Sequence, residues 1–198
     1  AYPLGFIFVV IGKSDLFTEH TTLAVIPVLN RNESLQNLLV VWGIIYSGNL
    51  LGGYVFSVLL TTLPVQMEII SVHALETLAL KLIEHHWYVI LGSGILAGWL
   101  MGLLSWLVTS SQETISRIFI IILVTTVIGI GNLHHSIVGS IEVFAGMLIS
   151  EKIGFLNYLV PQLWSTIGNI IGGVVFVAII KFSHVKVTDT ITQKDAES

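Results

Sequence analysis

Long stretches without charged residues are the feature that most constrains the fold of this chain. Residues 34–67, 85–112 and 153–180 contain no lysine, arginine, aspartate or glutamate. A helix needs about 20 apolar residues to cross the hydrocarbon core of a bilayer, and each of these stretches is long enough. Only 10% of the 198 residues are charged, against roughly 25% in soluble domains. The sequence therefore predicts an integral membrane protein.

Two further segments have membrane length but carry polar residues in their middle. Residues 118–141 lack formal charges and contain Asn132, His134 and His135. At the chain start, the apolar stretches 1–12 and 21–29 are separated by KSDLFTEH. Irregular backbone at membrane depth is tolerated only where it is buried in protein or lines a water-filled cavity. Both segments are therefore predicted to be broken helices, with the irregular backbone at residues 13–19 and 132–138.

The domain prediction is one transmembrane domain at 1–182, followed by a polar, disordered tail at 183–198. Between two spans, residues 65–84 place charges roughly along one face, which is typical of a helix lying in the membrane interface. An ordinary amphipathic packing helix fits the same pattern equally well. Alternating spans put more basic residues on the tail side, which predicts a cytoplasmic C-terminus. The tail side has Arg31, Arg117, Lys181, Lys186 and Lys194, and the other side has Lys81 and Lys152.

The chain also contains an internal repeat. The sequence GNLLGG at 48–53 recurs as GNIIGG at 168–173, and the glycines that open the two interruptions, Gly12 and Gly131, stand at nearly the same offset. The broken spans are three crossings apart, so the repeats, 1–63 and 87–182, are predicted to be inverted. Such repeats with interrupted helices indicate a transport site near the midplane. The second repeat opens with a helix that has no counterpart before residue 1, which predicts a preceding helix and a three-plus-three arrangement. The motif residues are assigned to helix packing: Gly48, Asn49, Gly52, Gly168, Asn169 and Gly172.

The interruptions hold the candidate functional residues. Ionisable groups at membrane depth are costly and mark functional sites by default. The second interruption holds His134 and His135, and the first holds Lys13, Asp15 and Thr18 around Leu16 and Phe17. A buried imidazole can be neutral at rest and still exchange a proton with a passing anion. The alternatives are an interhelical hydrogen bond for the histidines and a Lys13–Asp15 pair that merely holds the loop. No cysteine, convincing metal-ligand spacing or nucleophile–base pair is present, so no cofactor, metal or enzymatic activity is predicted, and no nucleic-acid partner.

These motifs together resemble the formate/nitrite transporter family over nearly the whole chain. GKSDLFTEH at 12–20 is similar to the family's first loop between half-helices, and NLHHSIVGS at 132–140 resembles its second. GILAGWLMGLLSW at 94–106 and LVPQLWSTIGNIIGG at 159–173 are similar to motifs of later helices. The resemblance implies an all-α, aquaporin-like inverted repeat that assembles as a homopentamer, with one pore in each protomer.

The resemblance also assigns roles to residues. It makes His135 the central pore histidine and Thr18 its hydrogen-bonding partner. His134 is also assigned to the solute pathway, and Asp15, Lys13 and Ser136 are assigned to loop support. It implies hydrophobic constrictions and an outer mouth formed by Leu16, Phe17, Phe6, Met101, Tyr2 and Ile128. Three positions depart from the family pattern. His134 stands where the family has glutamate, Gly98 replaces an asparagine, and Lys81 is one position away from a family lysine.

The functional hypothesis is a channel or transporter in the bacterial inner membrane, in contact with lipid. It would move a small monovalent anion of the formate, nitrite or hydrosulfide class, or its neutral acid, linked to a proton through His135. Two alternatives stay open from the sequence. One is an aquaporin-like pore for a small uncharged solute, and the other is a non-conducting membrane scaffold or sensor.

Overall fold

The computed structural model of the protein describes residues 2–180, and this part is all-helical. The predicted tail, and with it three of the lysines used for orientation, lies outside the described residues. The helices are α1 (Tyr2–Ile11), α2 (Phe17–Leu23), α3 (Val25–Leu29), α4 (Leu35–Gln66), α5 (Val72–Ile83), α6 (Trp87–Ser110), α7 (Thr114–Ile130), α8 (Ser136–Ile149) and α9 (Phe155–Ile171), which continues as a π-helical segment, Gly172–Ile179.

Helix length and surface polarity suit a membrane. By length and composition α4 and α6 could each cross a bilayer, and α1, α7 and α8 are shorter apolar helices. Apolar side chains remain exposed along α4, including Ile44 at 67% and Leu51 at 66%. Exposed apolar surface of this extent calls for lipid or another protein as its neighbour.

Each broken helix stops in the same way. Lys13 after α1 has φ 56° and Asn132 after α7 has φ 46°, both left-handed. In each case the following amide closes the last helical turn, with Ser14 N bonding to Val9 O at 2.9 Å and Leu133 N to Ile128 O at 3.1 Å. This combination is a Schellman motif. The two breaks therefore share one backbone design, at positions that the sequence repeat relates.

The breaks are shorter than predicted. Helix resumes at Phe17 and Ser136, so residues 17–19 and 136–138, expected to be irregular, are helical. The reason is that an asparagine side chain accepts the first amide of each new half-helix, at 2.9 Å between Phe17 N and Asn49 Oδ1 and 2.8 Å between Ser136 N and Asn169 Oδ1. The predicted fourth span ended at residue 141 because Glu142 is charged, whereas α8 continues to Ile149.

The two asparagines also hold the last carbonyls of the breaks. Asn49 Nδ2 donates to Asp15 O at 2.9 Å, and Asn169 Nδ2 donates to His134 O at 2.9 Å. Asn169 Nδ2 lies at the same distance from Gly94 O of α6. We call Asn49 and Asn169 the asparagine clamps. The assignment to helix packing missed this role, since their amide groups pair with irregular backbone that has no helical partner. Asn169 also lies in the contact between α6 and α9.

The motif glycines behave differently in the two repeats. A Cβ atom on Gly168 or Gly172 would collide with the backbone of α6 around Gly94 and Gly98. The predicted close packing is therefore present between α6 and α9. On α4, a Cβ on Gly48 or Gly52 would meet nothing within 4 Å. Within residues 2–180 these two glycines pack against no helix, so for them the packing assignment stays a prediction.

Helix α5 lies against α8. It begins at Val72 rather than at 65, because α4 runs on to Gln66. Leu75 and Ala79 are buried, while Leu78 is 46% exposed. Just after α8 ends, Ser150 Oγ donates a hydrogen bond to Glu76 Oε1 of α5 at 2.6 Å, and Lys152 Nζ pairs with the same oxygen at 3.1 Å. These contacts, the Ser150 hydrogen bond foremost, lower the pKa of Glu76. The packing agrees with the amphipathic packing alternative, and an interfacial location stays a prediction.

Candidate functional site

The two breaks meet at one hydrogen bond. Thr18 Oγ1 of α2 lies 2.8 Å from His135 Nε2, which immediately precedes α8. Both side chains are buried, with exposed fractions of 0% and 2%. The sequence positions are 117 residues apart, so only the fold brings them together. The structure thus joins the predicted central histidine and its predicted partner.

The hydrogen bonds around His135 define its tautomer. The ring caps α8, because its Nδ1 accepts from Val138 N at 3.3 Å. A nitrogen that accepts carries no proton, so the ring hydrogen is on Nε2. Nε2–H therefore donates to Thr18 Oγ1. The Thr18 hydroxyl keeps its own hydrogen, for which the hydrogen bonds among residues 2–180 include no acceptor.

Apolar side chains close the space around this pair. One buried cluster contains the predicted constriction residues Leu16, Phe17, Phe6 and Met101 together with Ile128. The rings of Tyr2, Phe6 and His135 form a row. The centroids of Tyr2 and Phe6 are 5.3 Å apart, and those of Phe6 and His135 are 5.2 Å apart. The planes of the Phe6 and His135 rings lie at 88° to each other, so the contact is edge to face. Such a closure excludes water and hydrated ions from the central hydrogen bond.

Two aromatic residues that the sequence did not single out support this closure. The Phe17 ring packs edgewise on Tyr46 at 4.9 Å and on Trp42 at 6.2 Å. Trp42 Nε1 also donates to His20 O at 2.9 Å. Trp42 and Tyr46 both lie on α4, which carries the Asn49 clamp as well. Their spacing gave no signal, since aromatic residues are common in any membrane span.

His134 lies beside the central residue but is bonded to different elements. Its Nδ1 is 2.9 Å from Ser93 Oγ of α6, and its Nε2 is 3.0 Å from Leu82 O of α5. Its backbone N–H donates to Ser93 Oγ at 3.0 Å. Both ring nitrogens are thus occupied by protein groups. The interhelical hydrogen-bond alternative describes His134, which the sequence had placed on the solute pathway.

The loop-support residues are arranged differently from the prediction. Asp15 Oδ1 pairs with His20 Nε2 at 2.9 Å and not with Lys13. Lys13 instead supplies the left-handed position that ends α1. Ser136 supports its loop through its backbone amide, and its buried hydroxyl has no hydrogen-bond partner among the described residues. Across residues 2–180 no three His, Asp or Glu side chains converge as metal ligands.

A cavity of about 100 Å³ reaches His135 from the Tyr2 end of α1. We call it the Tyr2 cavity. Its walls include Tyr2, Ile128 and Lys81, with Glu142 on the same side as His135. Glu142 was missed because the predicted span ended one residue before it. Its spacing of seven residues from His135, two helical turns, could have revealed it.

Fold and site together define a class of protein: a multi-helix membrane protein whose two broken helices meet at a buried histidine. A family model described as "Formate/nitrite transporter" matches residues 1–183, and the chain belongs to this family. The family consists of multi-pass membrane channels and transporters, not enzymes.

Two curated relatives and two solved structures illustrate the likeness. The chain is 27% identical over 197 residues to "Inner membrane protein YfdC" of Escherichia coli K12, covering 98% of this chain and 61% of the relative. It is 26% identical over 193 residues to "Formate channel FocA" of the same strain, covering 96% of this chain and 62% of the relative. The chain thus spans about three fifths of the length of these relatives.

The solved structures bear on the fold alone, because the sequence identities are low. An "FNT family ion channel" superposes with a TM-score of 0.82 at 22% identity, covering 92% of this chain and 74% of the other. A "Pentameric formate channel with formate bound" superposes with a TM-score of 0.71 at 20% identity, covering 92% of this chain and 80% of the other.

Proposed function

We propose that this chain lines a pore for small monovalent anions of the formate, nitrite or hydrosulfide class, moved together with a proton. The observation that carries the proposal is the 2.8 Å hydrogen bond between Thr18 and His135, made where the two breaks meet inside an apolar closure. We infer from the repeated break design that the two repeats face opposite ways in the membrane.

The chemistry follows from the hydrogen bonds of the pair. Thr18 accepts from His135 Nε2–H, so its own hydroxyl hydrogen can point to an anion. An anion passing Leu16 or Phe6 has lost most of its hydration and gains from any remaining donor. His135 takes up a second proton, supplied by the solvent, and transfers it to the anion. The solute then leaves as a neutral acid, and the ring returns to its neutral form.

Anion and neutral-solute flux distinguish this function from its alternatives. We expect the purified protein in proteoliposomes to carry formate, nitrite or hydrosulfide faster than glycerol, with flux rising as the pH on the entry side falls. Thr18→Val is a matched variant, because valine keeps the shape and removes the hydroxyl, and we expect it to lower anion flux. Faster glycerol than anion flux would instead support an uncharged-solute pore. Absence of all four fluxes would favour a scaffold or sensor.

We further propose a homopentamer in the bacterial inner membrane with a cytoplasmic C-terminus. The exposed apolar faces of α4 and other helices need neighbours, which neighbouring protomers and lipid would supply. One structural relative is described as pentameric. We expect light scattering on the detergent-purified protein to give the mass of five chains after subtraction of the detergent. A monomer or dimer that is stable on dilution would contradict this assembly.

A further inference from the structure

Glu142 is an acidic side chain in the middle of an otherwise uncharged helix. It lies on α8, seven residues after His135, and both line the Tyr2 cavity together with Gly139 between them. An ionisable group placed within a membrane-spanning helix is expensive and therefore suggests a role on a solute or proton pathway. We propose that Glu142 supplies, through the Tyr2 cavity, the proton that His135 transfers to the solute.

Within residues 2–180 the surroundings of Glu142 give it no structural task. Its carboxylate has no hydrogen bond or ion pair within residues 2–180, since the ion pairs there are Asp15–His20 and Glu76–Lys152. On its other side Glu142 borders an apolar cavity of about 530 Å³. A carboxylate kept only for stability would be paired or hydrogen-bonded in such a place.

Besides Glu142 and His135, the titratable groups that line the Tyr2 cavity are Tyr2 and Lys81. Tyr2 faces Glu142 from α1, and Lys81 lines the same cavity from α5. On α4 and α9, the Tyr54 and Tyr158 hydroxyls bond to each other, and Tyr158 also bonds to Ser140. Glu76, also on α5, is engaged with Ser150 and Lys152. Lys81 is exposed and has no partner in an ion pair within the described residues.

The exchange is a simple acid–base step, and it rests on the proposed anion transport. The Glu142 O–H bond breaks and an N–H bond forms at His135 Nδ1, the ring nitrogen without a hydrogen, with the proton passing through water in the Tyr2 cavity. The negative charge then lies on Glu142, and a hydronium ion from the Tyr2 end restores its proton. Lys81 contributes a positive charge that attracts the anion and steadies the carboxylate.

The test compares Glu142→Gln with Glu151→Gln in proteoliposomes, recording formate flux and proton uptake together. Glutamine keeps the shape of glutamate but cannot titrate, and Glu151 is exposed in the turn after α8. We expect Glu142→Gln to lower proton uptake per formate at least about tenfold and to flatten the pH profile. Glu142→Asp should retain both, and Glu151→Gln should match the wild type. An unchanged proton ratio and pH profile in Glu142→Gln, or equal losses in Glu142→Gln and Glu142→Asp, would overturn the proposal.

A second measurement separates this proposal from the proposed function. Infrared difference spectra of the purified protein, recorded on adding formate at constant pH, report protonation changes of carboxyl groups without any flux. We expect a change in the carboxyl C=O band in the wild type and in Glu151→Gln that is absent in Glu142→Gln. The same band in Glu142→Gln would refute proton exchange at Glu142. A wild type that carries no formate would refute the proposed function on its own.

Discussion

Replacement of His135 by asparagine is expected to abolish the pH dependence of anion transport and to lower proton-linked flux about a hundredfold. The amide donates a hydrogen bond but cannot titrate, so a pH-independent anion leak should remain. The fold should survive, because asparagine is among the best helix N-caps and its Oδ1 can replace Nδ1 as acceptor for Val138 N. Formate flux at several pH values, with size-exclusion chromatography as a check on folding, measures both effects.

The neighbouring histidine provides the matched control. His134→Asn should change the pH profile much less, because the His134 ring is bonded to Ser93 and Leu82 rather than to Thr18. Its main effect should be on the attachment of the second break to α5 and α6. A wild-type pH profile in His135→Asn, or greater sensitivity in His134→Asn, would show that the central residue is wrongly assigned.

Loss of the Asn169 clamp is expected to destabilise the protein far more than loss of the Asn49 clamp. Asn169→Ala removes hydrogen bonds to Ser136 N, His134 O and Gly94 O from a side chain that is 0% exposed. Each buried group left without a partner costs about 1–3 kcal/mol, so we expect a loss of about 3 kcal/mol or more. Unfolding of the purified protein in mixed micelles with increasing SDS measures this loss.

The repeat supplies the control variant for this experiment. Asn49→Ala removes the equivalent bonds to Phe17 N and Asp15 O. Asn49 is only half-buried, so water can replace its amide and the expected loss is about 1 kcal/mol. An Asn49→Ala variant as unstable as Asn169→Ala would mean that burial does not set the difference.

The sequence predicted the features that depend on local patterns of residues. Uncharged stretches predicted the spans, and polar residues within a span predicted both breaks. The pairing of Thr18 with His135 came from the family resemblance, since no local pattern relates residues 117 positions apart.

The features that were mispredicted depend on partners far along the chain. The asparagine clamps act on residues more than 30 positions away, so their sequence motif looked like helix packing. For the same reason the first residues of each new half-helix were predicted to be irregular. Asp15 could pair with either Lys13 or His20 by sequence distance, and the fold pairs it with His20. Glu142 was not predicted as a site residue because a charge was expected to mark the end of a span rather than its middle.

The asparagine clamps bear on how such a protein can diverge. The path of each break is fixed by a side chain on a different helix, Asn49 on α4 or Asn169 on α9, through backbone atoms alone. The side chains of the clamped residues are therefore not part of the clamp. One break carries Asp15 and Phe17 at the clamped positions, and the other carries His134 and Ser136. Substitutions at these four positions, other than to proline, consequently leave the clamp hydrogen bonds available, so the clamped backbone does not depend on which side chains its loop carries.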